Sequence, residues 1–180
     1  MKVQDFQKMK DDGRKISMIT CYDYSSARVV ADSNIDCILV GDSLAMTMHG
    51  YATTLSATTA MMALHTAAVA KGAPEKFIVG DLPFLSYRKG LKDAMDSVHE
   101  LMSAGAHAVK LEGVRGHADI IRHIVDSGVP VMGRGSRARA APARGWSRSS
   151  TWPGTEDDAS GSASSPPRSS SAMPSPRSRR

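Results

Sequence analysis

Short apolar runs recur along residues 1–133, and each is followed by a stretch with helical spacing. KISMIT (15–20) leads to Asp23, an N-cap candidate for a helix reaching Ala31. DCILV (36–40) comes next, and a longer segment then reaches a helix near 57–71 that Gly72 and Pro74 are placed to stop. KFIVG (76–80) precedes a helix near 91–103 closed by Gly105, and AHAVKL (106–111) precedes one near 117–126 closed by Gly128. VPVMG (129–133) is the fifth run. Runs without polar alternation predict strands buried on both faces, and their alternation with helices predicts right-handed βαβ units in a parallel sheet. Five units suit either a doubly wound sheet or the opening part of a (β/α)₈ barrel, a complete barrel taking about 250 residues.

The pattern stops after Gly133. Residues 134–180 contain no Ile, Leu, Val, Phe or Tyr, and hold 13 Ser, 9 Arg, 7 Ala and 6 Pro. With nothing to bury, this segment cannot supply further strands and is expected to be disordered. The expected organisation is a partial barrel over 1–133 and an Arg/Ser/Ala/Pro-rich disordered tail over 134–180. Nine of the 23 Lys and Arg residues and three of the 18 acids lie in the tail, so its charge is +6 and that of residues 1–133 is −1. The pI near 9.4 therefore belongs to the tail, and the body offers no basic field for nucleic acid or a membrane surface. Only Trp146 and Trp152 interrupt the tail as aromatics, without an RS or RGG period, so nucleic acid is not the expected partner.

Cys21 and Cys37 lie in or beside apolar runs and are expected as buried, reduced thiols. The polar start, MKVQDFQKMKDDGRK, has no signal-peptide core, and no run approaches the about 18 apolar residues of a membrane span. These features predict a cytoplasmic protein with no membrane partner.

The informative charges fall at strand ends. Val40 is followed by Gly41-Asp42-Ser43, Gly80 by Asp81, and the fourth run carries Lys110 and Glu112 two residues apart on one face. In parallel α/β folds the carboxyl ends of the strands form the binding face, so Asp42, Asp81 and Glu112 are expected to converge there. Three carboxylates in one depression repel unless a cation lies between them, and oxygen-only ligands select a hard ion such as Mg²⁺. Lys110, inside a strand, needs an anionic partner or ligand. His65 reads as a packing histidine on a helix, and Met46, Met48, Met61 and Met62 as gap fillers or mouth lining. No GxGxxG or Walker motif occurs.

Four ordered segments, VGDSLAMTMHGYATTL (40–55), HTAAVAKGAP (65–74), DLPFLSY (81–87) and AGAHAVKLEG (104–113), closely resemble the ketopantoate hydroxymethyltransferase family. ITCYDYSSA (19–27) fits that family's opening strand and turn, and the likeness covers about residues 1–133. The resemblance implies an α/β fold made of the first five βα units of a (β/α)₈ barrel. It implies an Mg²⁺-dependent enzyme that transfers a hydroxymethyl group from 5,10-methylenetetrahydrofolate to 2-oxoisovalerate, giving ketopantoate in pantothenate biosynthesis. Carried over by motif, Asp42, Asp81 and Glu112 are metal ligands, and Asp42, Ser43, Asp81 and Lys110 contact the keto acid. The resemblance also implies a homo-oligomer.

The family continues Gly-His and Gly-Leu-Thr-Pro after its fifth strand, and this chain departs after Gly133. The family's proton-abstracting glutamate lies on a later strand and nothing in 134–180 matches it, so no catalytic base is assigned; Glu156 has no strand around it. The tail composition resembles a frameshifted reading of a GC-rich gene. The chain as written is therefore expected to be truncated and inactive. The competing readings are a dead fragment keeping a Mg²⁺ and keto-acid half-site, a related Mg²⁺-dependent barrel lyase or mutase of the phosphoenolpyruvate type, and a nucleic-acid binder acting through its tail.

Overall fold

The computed structural model describes residues 1–113 and 115–134. The elements run α1 (Val3–Asp11), β1 (Met18–Thr20), α2 (Tyr24–Ala31), β2 (Cys37–Val40), α3 (Leu44–Thr47), α4 (Thr59–Gly72), β3 (Phe77–Asp81), α5 (Leu91–Ser103), β4 (Ala108–Glu112), α6 (Ala118–Asp126) and β5 (Val131–Arg134). The five strands form one parallel sheet in the order β1-β2-β3-β4-β5. A doubly wound sheet reverses its strand order at a switch point, whereas a barrel adds each strand beside the last. The unbroken sequential order decides for the barrel-type α/β architecture. The expectation of a disordered tail lies outside the described residues, apart from Arg134, which extends β5 one residue past the expected boundary.

Alternation along the strands sorts their side chains onto two faces. Ile38, Val40, Ile78, Val109 and Leu111 point to the helices and meet Ala27, Met62, Val69, Val98, Leu101, Ile121 and Ile124 in the main core. Cys37, Phe77, Val79 and Ala108 point the other way, into a second core closed by Phe6 and Met9 of α1. The Phe6 and Phe77 rings meet edge to face at 4.8 Å. The polar opening of the chain thus folds back as an amphipathic helix beneath the inner face of the sheet. Both cysteines are buried as free thiols, and burial pushes Cys37 up to about 12.

One expectation needs correction. β1 is not buried on both faces: Met18 is 43% and Ile19 40% exposed. Among the described residues β1 has one strand neighbour, β2. α4 ends at Gly72, as expected, with Ala73 capping it and Pro74 following. A Cβ at Gly72 would lie 2.6 Å from the Tyr24 carbonyl oxygen and 2.7 Å from the Ala27 Cβ, so the glycine is there to let α4 press against α2. Gly105 does close α5 in the expected way, at φ +104°.

Candidate active site

The inner face ends in charge. Continuing the alternation of Phe77 and Val79, Asp81 faces inward at the carboxyl end of β3, and continuing Ala108, so do Lys110 and Glu112 of β4. The β3–β4 register sets Asp81 directly opposite Lys110. Asp81 is 4% exposed, and the Lys110 ammonium donates to its Oδ2 in a short, nearly dry ion pair. Burial raises the Asp81 carboxyl to about 6, Lys110 opposes that rise, and the negative charge of Asp42 adds to it. The Asp42 backbone N–H also donates to Asp81, which brings the end of β2 into the same cluster.

Glu112 stands further along the same face, outside the dry zone. Its side chain is 57% exposed, with Oε1 3.7 Å from Lys110 Nζ. Its backbone carbonyl accepts from the Tyr87 hydroxyl and, at 3.2 Å, from Arg88 Nη2, which ties the β3–α5 connection to β4. Lys110 therefore lies between two carboxylates and supplies part of the positive charge that their approach requires. Among the described residues no group of three His, Cys, Asp or Glu side chains is arranged to hold a metal ion.

Ser43 follows Asp42, and its Oγ lies 2.8 Å from the Tyr22 hydroxyl. Tyr22 was not singled out from the sequence; its position between the end of β1 and the Asp23 N-cap is the one signal that places it at this end of the sheet. Asp23 caps α2 as expected, accepting from the Ser26 N–H at 2.9 Å and from Ser26 Oγ at 2.7 Å. His65 is half-buried but is more than packing: its Nδ1 lies 2.5 Å from the Tyr22 carbonyl oxygen and its Nε2 2.9 Å from His49 Nε2. Met62 is fully buried, whereas Met46 and Met48 are each 44% exposed in and after α3.

A divalent cation can be tested against these donors. Asp42 and Asp81 offer only oxygens, and Asp81 carries a charge that burial and Asp42 both disfavour, which a cation would relieve. Mg²⁺ commonly takes one or two protein carboxylates and keeps several waters. The pair fits Mg²⁺, while Glu112 in its observed position serves Lys110.

A parallel sheet in sequential order defines an α/β fold of the barrel type, and solved structures share it. Phosphoenolpyruvate phosphomutase from Streptomyces platensis subsp. rosaceus superposes with a TM-score of 0.61 at 14% identity, over 74% of this chain and 53% of that one. 2,3-Dimethylmalate lyase, described as a member of the phosphoenolpyruvate mutase/isocitrate lyase superfamily, superposes at 0.55 and 16% identity, over 73% and 52%. These likenesses concern the fold. The family follows from sequence: residues 1–136 match the ketopantoate hydroxymethyltransferase model, and the chain belongs to that enzyme family. It is 63% identical over 131 residues to the 3-methyl-2-oxobutanoate hydroxymethyltransferase of Bdellovibrio bacteriovorus, covering 73% of this chain and 50% of that protein. Against the Coxiella burnetii enzyme of the same name it is 59% identical over 134 residues, covering 74% and 50%. The chain spans about half the length of the curated relatives it matches. Among the described residues no helix is long and apolar enough to cross a membrane.

Proposed function

We propose that Asp42, Ser43, Asp81 and Lys110 form the cation and keto-acid side of a site for hydroxymethyl transfer from 5,10-methylenetetrahydrofolate to 2-oxoisovalerate, in cytoplasmic pantothenate biosynthesis. The observation that carries this reading is the dry Asp81–Lys110 pair beside Asp42, inside the segment that matches the family. The reaction needs a proton removed next to a ketone, which leaves enolate charge on oxygen. Mg²⁺ held by Asp42 and Asp81 supplies Lewis-acid polarisation of the keto-acid oxygens when bound. Lys110 places a second positive charge at the same depth, where little water screens it. The Tyr22 hydroxyl holds Ser43 Oγ in one orientation, so a hydrogen bond to the keto acid costs less ordering. Glu112 balances Lys110 from the solvent side and is the further oxygen donor available to the cation if it turns from that ion pair.

Proton removal is assigned to none of these side chains, since Asp81 and Glu112 are both engaged by Lys110. The 180-residue chain is expected to bind the keto acid and Mg²⁺ without turning them over, because a positioned base contributes about 10²–10⁴-fold to such a step. Isothermal titration of 2-oxoisovalerate into the purified chain tests the reading. Binding should require Mg²⁺ and be lost in Asp81→Ala, with no ketopantoate formed on adding methylenetetrahydrofolate. Binding indifferent to Mg²⁺ and to Asp81→Ala would remove the site from this cluster, and Mg²⁺-dependent product would overturn the expected inactivity.

A further inference from the structure

Two imidazoles meet on the same rim, away from the Asp81–Lys110 pair. His49 lies in the exposed loop after α3, and His65 lies half-buried midway along α4. Their rings stand edge to face, 5.1 Å between centroids and 87° between planes, with the two Nε2 atoms 2.9 Å apart. The far nitrogen of His65, Nδ1, lies 2.5 Å from the Tyr22 carbonyl oxygen. A carbonyl only accepts, so Nδ1 carries the hydrogen, which leaves Nε2, turned toward His49, as the nitrogen that can offer a lone pair. An N–H···O=C bond on the far nitrogen is the device that orients histidine metal ligands and raises their basicity.

We propose that His49 and His65 form a binding site for a zinc-type divalent transition-metal ion, through both Nε2 atoms with water completing the coordination. Imidazole ligands select this class of ion, just as the oxygen-only pair Asp42 and Asp81 selects Mg²⁺. On a tetrahedral ion with bonds of about 2.0–2.1 Å, two such nitrogens stand about 3.3 Å apart. From the observed 2.9 Å that asks for a shift of a few tenths of an ångström, within reach of the exposed His49 side chain. Each ring binds metal through the lone pair of Nε2 with its hydrogen on Nδ1, and any hydrogen held on Nε2 beforehand leaves to solvent. Among the described residues no third His, Cys, Asp or Glu completes a group with these two, so the site is open to water and weaker than a closed four-ligand site. An ion there would join the loop after α3, helix α4 and the β1–α2 turn, whose Tyr22 holds Ser43.

The test is titration of zinc chloride into the whole purified chain in saturating MgCl₂, followed by calorimetry. Wild type should take up one equivalent. Loss of a ligand should cost at least the about 10–100-fold typical of losing a second-shell partner, so His49→Gln should weaken uptake by that much or abolish it. His99→Gln, an exposed histidine on α5, should leave it unchanged. In wild type, ¹⁵N-imidazole spectra should show zinc moving the Nε2 resonances of His49 and His65 and no other histidine, a readout that depends on no variant. No uptake by wild type, full uptake by His49→Gln, displacement by Mg²⁺, or shifts at other histidines would each overturn the proposal.

Discussion

Asp81→Asn isolates what the candidate site costs the fold. The folded carboxyl sits at about 6 against an ordinary 3.8, with burial as the main cause. Between those two values the folded state holds a proton that the unfolded chain has released. Stability from this group is therefore present at low pH and is lost as pH rises through about 6. A rise of roughly two units, at about 1.4 kcal/mol each, makes the difference about 3 kcal/mol. Asp81 is buried, so solvent screening reduces this little. Asparagine keeps the shape and cannot titrate, and Lys110 still has Glu112 at 3.7 Å. Urea unfolding of wild type and Asp81→Asn in EDTA, at several pH values from 4 to 7.5, gives the stability difference at each point. Taking wild type minus variant cancels every other titrating group that the substitution leaves alone. That difference should fall by roughly 2–3 kcal/mol across the range, and adding Mg²⁺ at pH 7.5 should recover part of it in wild type only. A difference flat with pH, or one that rises, would refute the idea that Asp81 is held ionised at a cost.

Three further outcomes follow from the packing. Phe6→Ala should lower unfolding free energy by about 3–5 kcal/mol in urea titration, because the ring closes the inner core against Phe77 and little can collapse into its place. Gly72→Ala, in most helices a gain, should destabilise here by more than about 1 kcal/mol, since the new methyl meets the backbone oxygen of Tyr24; a higher melting temperature would contradict the close approach. Asp23→Ala should cost about 1 kcal/mol through the lost α2 cap, measured in the same titration.

The helices were legible because their signals are local. The capping oxygen of Asp23, the apolar spacing of residues 91–103 and the turn at Gly105 act within a few residues of themselves. The strands were legible from their apolar runs, and so were Asp42, Asp81 and Lys110, because a charge at the end of a buried run has few places to go. The neighbours of each strand were not legible. The same five runs suit two strand orders, and only long-range pairing shows the sequential one. The exposure of β1 is a property of its missing neighbour among the described residues rather than of Met18 and Ile19 themselves.

The site shows the same division. That Lys110 and Glu112 share a face is periodicity, and periodicity was enough. That Lys110 lies between Asp81 and Glu112, leaving Glu112 in solvent, depends on the register between β3 and β4 and on how deep the sheet is buried at that level. The role of Gly72 depends on where α2 passes, some forty residues earlier in the chain. The meeting of His49 with His65 depends on the path of the loop between them. Residue types and local spacing determine which groups are available and which way they point from their own backbone. Distances between groups far apart in sequence, and the desolvation that follows from them, exist only once the chain has folded.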